Sequence, residues 1–170
     1  LMIVSKGLDE GKLLVQKSLK IEPGETAPSL TNKLVDLSNE LLAEYLPLYA
    51  SGTLKPRQQP HPDRATYSKK LSKEDGLIDW GKPAEVIERE VRAYLGWPKS
   101  HTKLGEVEVI VTKAHAMPGR GKPGEIRIEG NFGLCVFCSE GYLCIDRLKP
   151  AGKNEMSIQE FLAGYKNKLS

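Results

Sequence analysis

The sequence predicts a mixed α+β protein, in which a helix-dominated first third leads into a small antiparallel β-barrel with flanking helices. Three observations carry this reading. From Leu30 to Tyr49 apolar residues recur at three- and four-residue steps, the spacing of one helix face. From 105 to 149 the pattern changes to short β-rich runs parted by Gly-containing turns, with no helical stretch between them. Such a series is expected to close into a barrel, because closure leaves no exposed strand edge. Between the two regions, residues 52–66 carry Pro56, Pro60 and Pro62 among polar side chains and read as a linker that can bury little. The expected organisation is therefore 1–51, the end of one domain; 52–66, a linker; and 67–170, a second domain.

The elements follow in chain order. Gly7-Leu8-Asp9-Glu10-Gly11 is a turn with two glycines about an acidic tip. Leu13-Leu14-Val15 and Leu19-Lys20-Ile21 are expected to flank it as strands, before Pro23-Gly24 breaks the pattern. The helix that follows puts Leu30, Leu34, Leu37, Leu41, Leu42, Tyr45, Leu46 and Tyr49 on one face. Pro47 should kink or thin its last turn, and Gly52 should end it. So Leu-rich a face needs a larger surface than the preceding residues supply, and the first third is expected to be the tail of a bigger domain. A second helix begins with Pro83 in its first turn, carries Val86, Ile87, Val91, Tyr94 and Leu95 on one side, and stops at Gly96-Trp97-Pro98. Strands are expected around Val107–Val111, Ile126–Ile128, Leu134–Phe137 and Tyr142–Leu148, with turns at 119–124, 130–133 and 139–141. A last helix opens on Ser157, with Glu160 three residues on and Met156 set to staple against Phe161.

Composition narrows the function classes. With 39% apolar and 28% charged residues the chain has ordinary globular content. No run of 18 apolar residues exists, so a membrane-spanning helix is excluded. Leu1 to Gly7 lacks the basic start and apolar stretch of a signal peptide, so a cytoplasmic location is expected. A first residue of Leu rather than Met suggests a chain cut from something longer. Cys135, Cys138 and Cys144 leave one thiol over in any disulfide scheme, which points to a reducing interior. The net charge of +3 is too small to argue for nucleic acid, but its distribution says more. Residues 1–68 hold 8 basic and 8 acidic side chains, whereas 69–170 hold 17 and 14, so the excess lies in the later segment.

Few local signals carry chemistry. Cys135-Val136-Phe137-Cys138 fits a C-x-x-C pattern, but residues three apart on a strand point to opposite faces and cannot grip one ion; core cysteines and no metal are expected. His61, His101 and His115 stand in no nucleophile motif and read as surface or strand-edge residues. Gly119-Arg120-Gly121-Lys122-Pro123-Gly124 lacks the strand–loop–helix setting of a phosphate loop and reads as a basic hairpin tip able to touch a phosphate backbone. Lys69, Lys70 and Lys73 cluster where the linker meets the second domain, a place that would steer a polyanion spanning both parts.

Four stretches together resemble the methionyl-tRNA formyltransferase family. Gly7-Leu8-Asp9-Glu10-Gly11 is similar to the family's loop around a catalytic aspartate. Thr66-Tyr67-Ser68-Lys69-Lys70-Leu71-Ser72-Lys73-Glu74 with Ile78-Asp79-Trp80 is similar to the entry of its C-terminal domain. Arg92-Ala93-Tyr94-Leu95-Gly96-Trp97-Pro98 resembles a helix end in that domain, and Leu148-Lys149-Pro150-Ala151-Gly152-Lys153 followed by Met156-Ser157 resembles its closing strand and final helix. The resemblance implies a Rossmann-like folate-binding domain, of which residues 1–51 would be the end, then a linker and an OB-like antiparallel β-barrel. It also implies transfer of a formyl group from 10-formyltetrahydrofolate to the amino group of methionyl-initiator-tRNA.

In that chemistry an amine attacks a formyl carbon, an oxyanion develops and a proton must leave nitrogen. Asp9 matches the family's catalytic aspartate, although Glu10 and Lys12 stand where the family more often has Thr and an acidic residue. The family's catalytic Asn and His form an Asn-x-His sequence that does not occur here. The chain is therefore expected to be a C-terminal fragment, inactive alone, that contributes tRNA binding through Lys69, Lys70, Lys73, Lys149 and Lys153, with Arg120 and Lys122 next. A monomer without membrane contact is expected. The alternatives are a sugar-nucleotide formyltransferase or formyltetrahydrofolate dehydrogenase, against which Lys-Pro-Ala-Gly-Lys weighs, and a non-catalytic barrel that binds nucleic acid or merely props up a catalytic half. A nucleic-acid barrel would stack bases on exposed aromatics, for which Phe132, Phe137 and Tyr142 are the candidates.

Overall fold

The computed structural model describes residues 1–60, 62–130 and 133–169; His61, Phe132 and part of the 130–133 turn lie outside the described residues. The chain divides into two compact units, Leu1–Lys70 and Leu71–Ser170.

In the first unit the Gly-Leu-Asp turn is present, but the strands expected at 13–15 and 19–21 are not: Leu13 alone makes isolated bridges, to Met2 and Arg57, and 19–21 has no strand partner. The segment 57–59 is taken up in the same unit. Leu13 and Arg57 exchange backbone hydrogen bonds of 2.8 and 2.9 Å, and the Gln59 amide donates to the carbonyls of Asp9 and Gly11 at 2.7 and 2.8 Å. α1 spans Ala27–Ala50. Thr26 caps it, with a reciprocal Ser29 hydroxyl closing the box, and Gly52 at φ +77° follows its end. Pro47 does not interrupt it; the missing N–H costs one bond in a last turn that Ser51 N–H closes onto the Pro47 carbonyl at 3.0 Å. Leu41 is its one buried side chain, while Leu34, Val35, Leu42, Leu46 and Leu48 are exposed.

The second unit is built on a curled antiparallel sheet. α2 (Ala84–Ala93) buries Ala84, Ile87 and Val91 against it. The strands are β1 (His101–Leu104), β2 (Val107–Met117), β3 (Ile126–Glu129), β4 (Gly133–Phe137), β5 (Tyr142–Pro150) and β6 (Met156–Ser157). Their order is β1-β2-β5-β4-β3, with β6 on β5. This path is open: among the described residues β1 and β3 do not pair, so the closed barrel expected from the strand pattern is a half-barrel. β2 and β5 slip register twice, with Thr112 the extra residue on one strand and Asp146 on the other. Paired bulges bend a sheet, and they move the buried set on β2 from Val109 and Val111 to Ala114. α3 (Ile158–Tyr165) starts on the predicted box: Glu160 N–H donates to the Ser157 hydroxyl, and Ser157 N–H donates to the Glu160 carboxylate. Phe161 enters the core beside Leu134, Leu143, Ile145 and Leu148.

The cysteines divide between the two faces of the sheet. Cys138 lies in the core as a free thiol. Cys135 and Cys144 are direct partners across β4 and β5, with Cα atoms 4.0 Å apart, and are joined as a disulfide. Three unlinked core cysteines were expected; the pairing depends on register across two strands, which the spacing of cysteines does not disclose. Among the described residues no helix is long and apolar enough to cross a membrane.

Candidate nucleic-acid interface

Three of the four recurring stretches meet at one end of the second unit. The entry segment docks first. Gly76 lies so close to the Lys99 carbonyl that an added Cβ would stand 2.2 Å from its oxygen, so only glycine fits. Ile78 N–H donates to the His101 carbonyl at 2.9 Å, setting residues 77–78 along the free edge of β1. The Trp97 indole N–H donates to the Leu71 carbonyl at 3.3 Å. Pro98 is buried, and Lys99 takes φ +74° while its N–H closes onto Tyr94 at 2.9 Å. On the other side Ala151 N–H donates to the Glu108 carbonyl at 3.0 Å, so the Lys-Pro-Ala-Gly-Lys segment turns against β2 with Pro150 buried.

These contacts enclose a cleft of about 660 Å³. Lys73, Lys99, Lys103 and Lys149 surround it, Trp97 and Leu77 form apolar wall, and Glu108 is its one carboxylate. Among the described residues none of the four ammonium groups makes an ion pair, whereas Lys82 pairs with Glu90 at 2.6 Å, Arg92 with Glu88 at 2.6 Å and Arg147 with Glu155 at 3.2 Å. The Glu90 and Glu88 carboxylates hold Lys82 and Arg92 more firmly protonated than usual. Four lysines against one carboxylate give the cleft lining a positive balance, the sign that draws an anionic partner.

The remaining sequence candidates are dispersed. Lys69 and Lys70 are exposed at the end of the first unit, and Lys153 is exposed one residue beyond Gly152 of the cleft wall. Arg120 borders a different cavity of about 990 Å³ that also holds Glu85 and Glu140, so no cationic field builds there. Lys122 sits in an exposed turn. The loop holding both is not the hairpin tip expected from its glycines, because β2 pairs with β5 and β3 with β4. It crosses instead over the edge-to-face pair Phe137–Tyr142, with Gly121 on the first ring and Gly119 on the second. Those two aromatics are thus covered rather than offered to a base. Asp9 stands in the first unit at φ +53°, its carbonyl held by Gln59 and its side chain exposed. Glu10, an apparent departure, accepts from Gly7 N–H at 3.0 Å and closes the turn.

Lys99, Lys103 and Trp97 are the functional candidates that sequence reading missed. A period-two signal was available: Lys99, His101 and Lys103 alternate along the approach to β1 and the strand itself.

A curled antiparallel sheet with a cationic cleft at one end defines a class, a small β-domain with an anion-facing groove. A family model described as formyl transferase, C-terminal domain, matches residues 70–166, and the chain belongs to that family. Curated relatives agree. The methionyl-tRNA formyltransferase of Myxococcus xanthus is 41% identical over 166 residues, covering 98% of this chain and 53% of the relative. That of Citrifermentans bemidjiense is 39% identical, covering 97% and 52%. The chain spans about half the length of the curated relatives it matches. Among solved structures, HypX from Aquifex aeolicus in complex with tetrahydrofolic acid aligns at a TM-score of 0.71 and 20% identity, over 96% of this chain and 29% of that one. A four-substitution variant of the same protein aligns over 99% of this chain with the same TM-score. At such identity the likeness shows a shared fold.

Proposed function

We propose that the chain is the C-terminal half of a methionyl-tRNA formyltransferase, and that its second unit grips initiator methionyl-tRNA while an upstream half transfers the formyl group. The observation that carries this reading is the cleft of four unpaired lysines, two of which, Lys73 and Lys149, stand in stretches that resemble that family. In this reading residues 1–51 are the end of the Rossmann-like formyltransferase domain, 52–66 the linker and 67–170 the tRNA-binding domain. Lys73 and Lys149 act with Lys99 and Lys103; Lys69, Lys70 and Lys153 are the next candidates, and Arg120 and Lys122 are weaker contacts apart from the cleft. The cytoplasm is where such a monomeric enzyme meets its tRNA. Phosphate contacts of this sort add affinity and register without touching the reacting atoms.

Asp9 fits the family's catalytic aspartate by its turn, whose backbone is held by Gln59 from outside and by Glu10 from within. The residues present do not by themselves hold 10-formyltetrahydrofolate. Asp9 is exposed, and the best-formed cavities among the described residues all lie beyond residue 72. The donor therefore belongs to the parent enzyme, and no chemical step is assigned to this chain alone.

The test is to titrate the purified chain with initiator tRNA over a range of salt and to assay formyl transfer with both substrates. Salt-sensitive binding without turnover is expected. Binding that ignores salt, or turnover by the chain alone, would overturn the reading.

A further inference from the structure

The cleft holds an element that phosphate binding does not need: a tryptophan with one ring edge tied down and its face open. Trp97 is 59% exposed, its N–H is used on the Leu71 carbonyl, and among the described residues no aromatic ring or cation packs on it. Leu77, 61% exposed, lies on the same cleft and continues the apolar surface. A flat indole beside unpaired lysines is the pairing of surfaces that single-stranded nucleic acid uses, its base on the ring and its phosphates on the cations. A partner protein's apolar side chain would fill the wall but leave the four ammonium groups unanswered. Double-stranded RNA would meet the lysines but could not present a base face to the ring, because its bases are stacked on one another.

We propose that this cleft seats one unpaired nucleotide of the bound RNA, the base stacked on Trp97 and the flanking phosphates held by Lys73, Lys99, Lys103 and Lys149. This rests on the tRNA reading above and adds to it a recognition of unpaired structure. Glu108, the one carboxylate of the cleft, is an acceptor for an exocyclic amino group of the base.

Two tryptophans are present, so Trp80→Phe leaves Trp97 as the only tryptophan, whose emission is read by excitation beyond the tyrosine band. In that background a six-nucleotide single-stranded RNA is expected to quench the emission, and a duplex hairpin closed by a fully stacked loop at each end, which exposes no terminal base face, is not. Trp97→Ala is expected to weaken binding of the tRNA roughly 5- to 150-fold, the range of one base–aromatic stack. Its salt dependence should be unchanged, because no cation is lost. Trp97→Phe should retain most of the affinity, and thermal melts of both variants establish that they are folded. If Trp97→Ala binds as tightly as wild type while lysine variants weaken, the stacking proposal falls and the tRNA reading stands. If the hairpin quenches as strongly as the single strand, the stacking proposal falls as well. If tRNA does not bind but the short RNA quenches, the tRNA reading falls and the nucleotide site stands.

Discussion

Replacing Lys73 and Lys149 by glutamine tests the cleft directly. Each lysine that neutralises a phosphate releases a condensed counterion, so the slope of log affinity against log salt is about −0.9 per contact. Four contacts from Lys73, Lys99, Lys103 and Lys149 give a slope near −3.6, which weakens binding roughly 150-fold between about 50 and 200 mM salt. The double variant keeps two contacts, so its slope should be near −1.8 and the same change of salt should cost only about 12-fold. Glutamine preserves length and hydrogen bonding without adding repulsion, and both positions are exposed, so folding should be spared. The assay is a fluorescence-anisotropy titration of labelled tRNA at four or more salt concentrations. Lys122→Gln with Arg120→Gln, taken from the loop that shares its cavity with two glutamates, is the comparison and should move the slope less. A double variant with the wild-type slope would mean that the cleft lysines meet no phosphate.

The other predictions concern the scaffold. A Cβ at Gly121 would stand 2.4 Å from the buried Phe137 ring, so Gly121→Ala should cost about 1–3 kcal/mol. Gly130→Ala, where nothing lies within 4 Å, should change stability by no more than about 0.5 kcal/mol; equal melting temperatures for the two would refute the close approach. Burial pushes the Cys138 thiol up to about 11, so the native chain should resist thiol reagents at about pH 8. Stoichiometric labelling before unfolding would contradict this. Ser157→Ala should lower stability by about 0.5–2 kcal/mol. Because Ser157 N–H holds the Glu160 carboxyl below its usual range, that part of the cap is present above the ordinary glutamate pKa. It is lost as pH falls through the lowered folded value, so denaturation midpoints of wild type and Glu160→Gln, which lacks the titrating carboxylate, should converge towards acid.

What the sequence discloses divides along a physical line. Wherever one element decides its own fate by periodicity or a cap, residues alone suffice. The box at Ser157 and Glu160, the face of α2 and the alternation in β2 are of this kind. Pairing is a different matter. β1 is four residues long and carries His101 and Lys103 on its exposed side, so it offers too little apolar pattern to be seen. The disulfide and the open end of the sheet follow from which strand lies beside which, and so does the course of the 118–124 loop across Phe137. The cleft is hidden for the same reason. Its lysines come from three separate stretches, and only Lys73 and Lys149 sat in motifs that drew notice.

The first unit makes the complementary point, because there the sequence predicted an incompleteness. Eight apolar positions at helical spacing demand a surface to cover, and α1 buries one of them, Leu41, while Leu34, Leu42 and Leu46 stay 41–51% exposed. Leaving such side chains half in water forfeits about half of the roughly 1.5–3 kcal/mol that full burial of each would contribute. In the formyltransferase reading proposed above that stripe is a surface for the upstream half, in keeping with a chain that spans about half of its relatives. Asp9 stands in the same unit on a turn whose backbone is held by Gln59 and Glu10. A turn with a held backbone while its Asp9 carboxylate faces solvent fits a side chain positioned to meet groups supplied by another segment, which is the role the formyltransferase reading gives it.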